Sequence, residues 1–166
     1  MKEEIFAQFN EATNGFEEMA ASFSQEQLNI IPKEGSWTAA QVVVHVIKSN
    51  KSITQAMNMD SQPANRTPDE RVNELISIFL DFEKKLQSPG FIIPEPGNYN
   101  KINLLADLHK SIDDLRKIAD LVSLSDSIKH IAFGDITKLE LLHFVVYHIK
   151  RHTHQLHKIS TLVKSN

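Results

Sequence analysis

The chain has 166 residues, 41% of them apolar, and a formal net charge of −3, which suits one domain spanning 1–166 with its own core. The slight acidity, and the lack of any lysine- and arginine-rich run with interleaved aromatics, speak against a nucleic-acid partner. The absence of cysteine excludes disulfides, thiolate metal ligands and a cysteine nucleophile, and it fits a cytoplasmic protein. The first residues, "MKEEIFAQFN", contain no apolar run, and no later stretch approaches the roughly 20 residues that a membrane span needs. A soluble cytoplasmic protein with no membrane partner is expected.

In chain order, Ile5, Phe6, Phe9, Phe16, Met19, Ala20 and Phe23 recur at helical spacing and predict a first helix over 2–23. A loop, "SQEQLNIIPKEGSW", follows. In "WTAAQV", Thr38 and Gln41 make a capping box, with Trp37 and Val42 placed for a hydrophobic staple, so a second helix is expected over 38–57. "TPDE" repeats the signature, with Thr67 as cap, Pro68 at the first helical position and Glu70 closing the box. Val72, Leu75, Ile76, Phe79, Leu80 and Leu86 would form that helix's apolar face.

"SPGFIIPEPGNYN" then breaks the chain, and a fourth helix is expected over 103–122 on Leu104, Leu105, Leu108, Ile112, Leu115 and Ala119. A link, "SLSDSIKHIAFGDI", leads to a third capping box, Thr137 and Glu140, and a last helix reaching about residue 162. No strand pattern competes. The fold class is therefore all-α, a helical bundle with additional short helical or loop segments.

Four of the thirteen residues in "YHIKRHTHQLHKI" (147–159) are histidine. At about 100° per residue, His148 and His152 share a face with Leu141, Val145, Gln155 and Ile159, whereas His143, His154 and His157 point elsewhere. Imidazoles four residues apart on a helix can reach one ion, but a third ligand must come from another helix. The spacing alone leaves metal binding and two hydrogen-bonded inward histidines at even odds. His45 is the third candidate, at the edge of its helix's apolar stripe beside Ser49 and Ser52, with Ala56 further along; a boundary histidine is the alternative. His109 and His130 read as solvated.

"SWTAAQVVVHV" and "FGDITKLELLHFVVYHIKRHTHQL" together resemble the two signature segments of the DinB-like (YfiT-like) proteins. The resemblance implies a four-helix up-down-down-up bundle, often dimeric. It implies a divalent metal held by His45, His148 and His152, and a small-molecule substrate. It also implies two chemistries: transfer of an external low-molecular-weight thiol to an electrophile, or hydrolysis by metal-bound hydroxide. A non-catalytic metal-binding bundle is the third possibility.

Three imidazoles without a fourth protein ligand suit zinc, nickel or iron(II), and leave an open position. Gln155 is placed to bond a ligand ring, and Arg151 to meet an anionic substrate group or make a surface ion pair. Tyr147 reads as a packing residue with its hydroxyl at the rim. The consecutive apolar residues Val42–Val44 and Phe144–Val146 exceed what one face can bury, which adds to the expectation of a homodimer.

Overall fold

A computed structural model describes residues 2–164. In order these form α1 (Lys2–Ala21), α2 (Gln25–Leu28), α3 (Ala39–Met57), strand β1 (Gln62–Pro63), α4 (Val72–Phe79), a 3-10 turn at Gly90–Ile92, α5 (Lys101–Leu121), β2 (Asp126–His130), β3 (Gly134–Thr137) and α6 (Lys138–Val163). The four long helices, α1, α3, α5 and α6, make the bundle.

Contacts at the helix ends give their directions. Lys2, opening α1, pairs with Asp120 at the end of α5 at 3.0 Å, and Lys101, opening α5, donates to the carbonyls of Ala21 and Phe23. So α1 and α5 are antiparallel. Gln41 donates to the Glu95 carbonyl ahead of α5, and Asn50, midway along α3, donates to Ser111, midway along α5. So α3 and α5 run the same way. Lys138, opening α6, donates to the Met59 carbonyl just past the end of α3. The order is therefore up, down, down, up, as expected.

The core is built from Phe9 and Phe16 of α1, Val42 and Val46 of α3, and Leu108 and Leu115 of α5, all closed around α6. Each such side chain contributes about 1.5–3 kcal/mol by leaving water. Phe144, Val145 and Val146 are all buried within this one chain, because α6 packs against α1, α3 and α4 together. Val42 and Val43 of α3 are buried in the same way and Val44 partly, so most of the apolar width that suggested a dimer packs within one chain. Among the described residues no helix is long and apolar enough to cross a membrane.

Two of the expected capping boxes form as read. Thr38 Oγ1 accepts from the Gln41 N–H while Gln41 Oε1 accepts from the Thr38 N–H, and Thr137 and Glu140 reciprocate in the same way. The Thr67 box does not form. Residues 68–71 are turns and α4 begins only at Val72. The Arg71 N–H donates to the Glu140 carboxylate at 2.8 Å, the Arg71 guanidinium to the carbonyls of Phe133 and Asp135, and Thr137 Oγ1 to the Pro68 carbonyl. Tertiary bonds to the head of α6 replace the local cap, and Leu86 lies beyond the helix. The presumed loop after α1 holds α2, capped by a Ser24–Gln27 box. The start of α5 is Lys101, with Asn100 as cap.

The reading of no strands needs correction. β2 pairs antiparallel with β3, Ile128 opposite Ile136 and His130 opposite Gly134, and β1 adds to the other edge of β2. Ile128 and His130 alternate inward, and Lys129 pairs with Asp135 at 2.7 Å on the wet side. Gly134 closes the hairpin at φ +66°, a conformation glycine adopts without steric cost.

Candidate metal centre and adjoining cavity

His45 comes from α3 and His148 and His152 from α6, and all three are buried, at 2%, 5% and 8% exposure. His45 Nε2 lies 3.0 Å from His148 Nε2, and His152 Nε2 lies 3.1 Å from the same atom. Among the described residues these three are the one group of histidines and carboxylates that could hold a metal ion.

Each outer ring is oriented by its other nitrogen. His45 Nδ1–H donates to the Ile92 carbonyl at 2.9 Å, on the 3-10 turn, and the Trp37 indole packs beside this ring at 5.1 Å. His152 Nδ1–H donates to Gln155 Oε1 at 2.8 Å. A neutral imidazole with its proton on Nδ1 presents a bare lone pair at Nε2. His45 and His152 thus both aim lone pairs at His148 Nε2, which carries one proton at most. One close contact is left with two facing lone pairs and no hydrogen between them. Charging a ring would supply the missing proton, but burial opposes it.

Burial, followed by the neighbouring histidines and Arg151, holds His148 well below the ordinary histidine range. Burial likewise lowers His152 to about 3 against a weaker opposing bond from Gln155, and lowers His45 despite its bond to Ile92. A divalent cation fits this donor set. Two nitrogens bonded to one ion at about 2.0–2.1 Å stand about 2.9 Å apart at a right angle and about 3.3 Å apart at a tetrahedral angle. The observed 3.0 and 3.1 Å lie between these limits.

The other residues singled out in the sequence fall as follows. Gln155 occupies the expected place, orienting a ring that faces the centre. Arg151 makes no ion pair among the described residues; it lines the adjoining cavity, and its guanidinium donates to the backbone carbonyls of Phe79, Asp81 and Lys84, and so holds the chain after α4 against α6. His143 shares a hydrogen bond with the Tyr147 hydroxyl at 3.1 Å, and His154 stacks on Phe82 with ring centres 4.4 Å apart. His157 is exposed. His109 is exposed and paired with Glu17. His130 is a correction: it is 8% exposed rather than solvated, because the unforeseen β2 turns it inward. Its inward alternation with Ile128 was the available signal.

The three histidines open onto a cavity of about 260 Å³. Its walls come from α3, the end of α4, the 86–92 segment, the hairpin and α6. They are largely apolar, with Ile53, Phe79, Ile92, Phe133 and Phe144 prominent, and no aspartate or glutamate among the described residues lines the cavity. The 86–88 segment also borders a second, more open groove lined by Trp37, Lys84, Lys85, Gln155 and Lys158.

The family profile described as the DinB superfamily matches residues 8–156. No curated protein matches the sequence. Two solved structures share the fold at 16% identity. One is TT2238, described as a four-helix bundle protein, with a TM-score of 0.61 over 95% of this chain and 99% of that one. The other is a conserved protein from Enterococcus faecalis, with a TM-score of 0.67 over 100% of this chain and 98% of that one.

Proposed function

The chain belongs to the DinB superfamily, and from that premise we propose that it is a divalent-metal-dependent enzyme transferring a low-molecular-weight thiol to a small electrophile. His45, His148 and His152 are the ligands. The observation that carries the reading is the convergence of three Nε2 atoms, two with their Nδ1–H committed to carbonyl oxygens, on one edge of an apolar cavity.

When bound, zinc, nickel or iron(II) would supply a Lewis-acid position at which a thiol or a water ionises more readily. The protein's own contribution is to orient the donors, exclude water and position the electrophile. Gln155 and the Ile92 carbonyl fix the tautomers of His152 and His45, so that neither ring must reorient. The apolar walls keep bulk water from the reacting groups.

Thiol is favoured over water as the nucleophile on two grounds. A thiol ionises near pH 8.5, against about 15.7 for water. Among the described residues the cavity offers no carboxylate to take a proton from water. With no cysteine in the chain, the thiol is external.

Metal analysis of freshly purified protein, followed by a screen of thiols against small electrophiles, tests the proposal. One equivalent of metal and turnover that requires added thiol support it. Metal-dependent turnover without thiol points to a hydrolase instead. A loaded protein inert in both assays is a non-catalytic metal-binding bundle.

A further inference from the structure

The cavity carries hydrogen-bonding groups that neither the three-histidine centre nor the fold uses. His130 Nδ1 accepts the Ala132 backbone N–H at 3.1 Å. The neutral ring therefore carries its proton on Nε2, and that N–H has no acceptor among the described residues. Ser49, one turn along α3 from His45, is 4% exposed, and its hydroxyl also has no partner among them. Among the described residues no fully buried side-chain nitrogen or oxygen lacks a partner, so both atoms keep contact with open space, and both residues line the cavity.

His130 stands apart from the metal centre. It contacts Phe133 at 5.1 Å between ring centres, Phe133 contacts Phe144 at 4.8 Å, and Phe144 contacts His148 at 5.2 Å. The cavity thus has the candidate ligands at one place, an N–H donor beyond two phenylalanines, and apolar wall between. Among the described residues the only lysine or arginine on its lining is Arg151, whose guanidinium donates to backbone carbonyls. A charged group lodged against His130 would lose its hydration there. An empty space of roughly 150 Å³ takes benzene, so about 260 Å³ accommodates a ring with a short substituent.

We propose that this cavity selects a neutral, largely apolar molecule with one hydrogen-bond acceptor, such as a carbonyl or ether oxygen, which the His130 Nε2–H binds. This deepens the thiol-transfer reading by naming the class of electrophile, and it rests on the cavity being the substrate site. His130 is then a specificity-determining residue rather than a metal ligand.

The test uses the metal-free full chain, so that its outcome is independent of whether the three histidines bind metal. The probes are acetophenone, its isostere α-methylstyrene, which lacks the acceptor, and benzoate, which is charged. Titration by nuclear magnetic resonance, with ¹⁵N-labelled histidine, reads both affinity and the His130 Nε2 signal.

Acetophenone is expected to bind about five-fold tighter than α-methylstyrene, the effect of one neutral hydrogen bond, and benzoate more weakly than either. The Nε2 signal should move with acetophenone alone. In His130→Phe the preference for acetophenone should vanish while α-methylstyrene still binds. Equal binding of the two isosteres, a still Nε2 signal, tightest binding by benzoate, or no binding at all would overturn the proposal. The Nε2 signal is read in the unaltered protein, so a misfolded variant does not blunt the test.

Discussion

Helix α6 carries two buried polar clusters, and they differ in whether donors and acceptors balance. At its head, the Glu140 side chain is fully buried, and its carboxylate accepts four hydrogen bonds. Two come from the Arg66 guanidinium at 2.6 and 2.7 Å, one from the Arg71 N–H at 2.8 Å and one from the Thr137 N–H at 2.9 Å. Burial alone would raise its pKa; the bonds from Arg66, Thr137 and Arg71 outweigh burial and hold it below the ordinary glutamate value. Nothing is missing there, and the cluster pins the segment before α4 and the hairpin to the bundle. Two turns along the helix, His148 meets His45 and His152 with three acceptor nitrogens and one proton at most. A balanced cluster explains itself as structure. An unbalanced one calls for a ligand, and three imidazoles call for a cation.

The contrast is broken most directly at the histidines. Replacing His45, His148 or His152 by alanine should remove most bound metal and any activity, while circular dichroism stays that of the parent. The caps and apolar faces that specify the bundle are untouched by these changes. Glu140→Ala should do the reverse. It leaves Arg66 and two backbone N–H groups without their partner, so urea denaturation should show a loss of about 3–5 kcal/mol. Metal per folded chain should be unchanged.

Acidification distinguishes the clusters by sign and window. In the metal-free protein, burial keeps His45, His148 and His152 neutral below the pH at which the unfolded chain takes up protons, about 6.5. Their contribution is fully present above about pH 6.5 and is lost as pH falls from there towards the folded value, about 3 for His152. Each histidine contributes at most about 1.4 kcal/mol per pH unit in that window. Glu140, whose folded pKa is lowered, adds its loss only as the pH falls through the carboxylate range. Urea midpoints of the metal-free protein should therefore begin to fall near pH 6.5, and His148→Ala should flatten that first decline. The low folded pKa values also mean that protons compete less with metal than ordinary histidines would suggest. A steep loss of metal between about pH 7.5 and 5, the expectation for unperturbed imidazoles, should thus move to lower pH.

A smaller effect belongs to Gln155. Removing its oxygen in Gln155→Leu frees His152 Nδ1–H and should weaken metal affinity by about 10–100-fold, read by chelator competition, without emptying the site at high metal.

Much of this was legible in residue pattern, where local rules decide. Thr38 with Gln41 and Thr137 with Glu140 mark helix starts because a capping box satisfies N–H groups within a single turn. The facing of His148, His152 and Gln155 follows from helical rotation alone. What failed was decided by distant partners. The Thr67 signature was the same in letters, but Glu140, 69 residues beyond Arg71 and itself half of another box, draws off the N–H of Arg71 instead. Arg151 could not be placed because its acceptors are backbone carbonyls of an irregular segment. The hairpin was missed because five- and four-residue strands carry little periodicity, and with it went the inward direction of His130. The three-histidine set itself needed the family resemblance, since spacing on α6 does not identify a ligand on α3.

The central claim is that one metal ion is held by His45, His148 and His152 and by no other histidine of the last helix. Metal per chain, measured on freshly purified parent protein and on six single alanine variants, tests it most directly. About one ion per chain is expected in the parent and in His143→Ala, His154→Ala and His157→Ala, and close to none in His45→Ala, His148→Ala and His152→Ala. If His154→Ala empties the site while His148→Ala does not, or if all six keep their metal, the claim is contradicted.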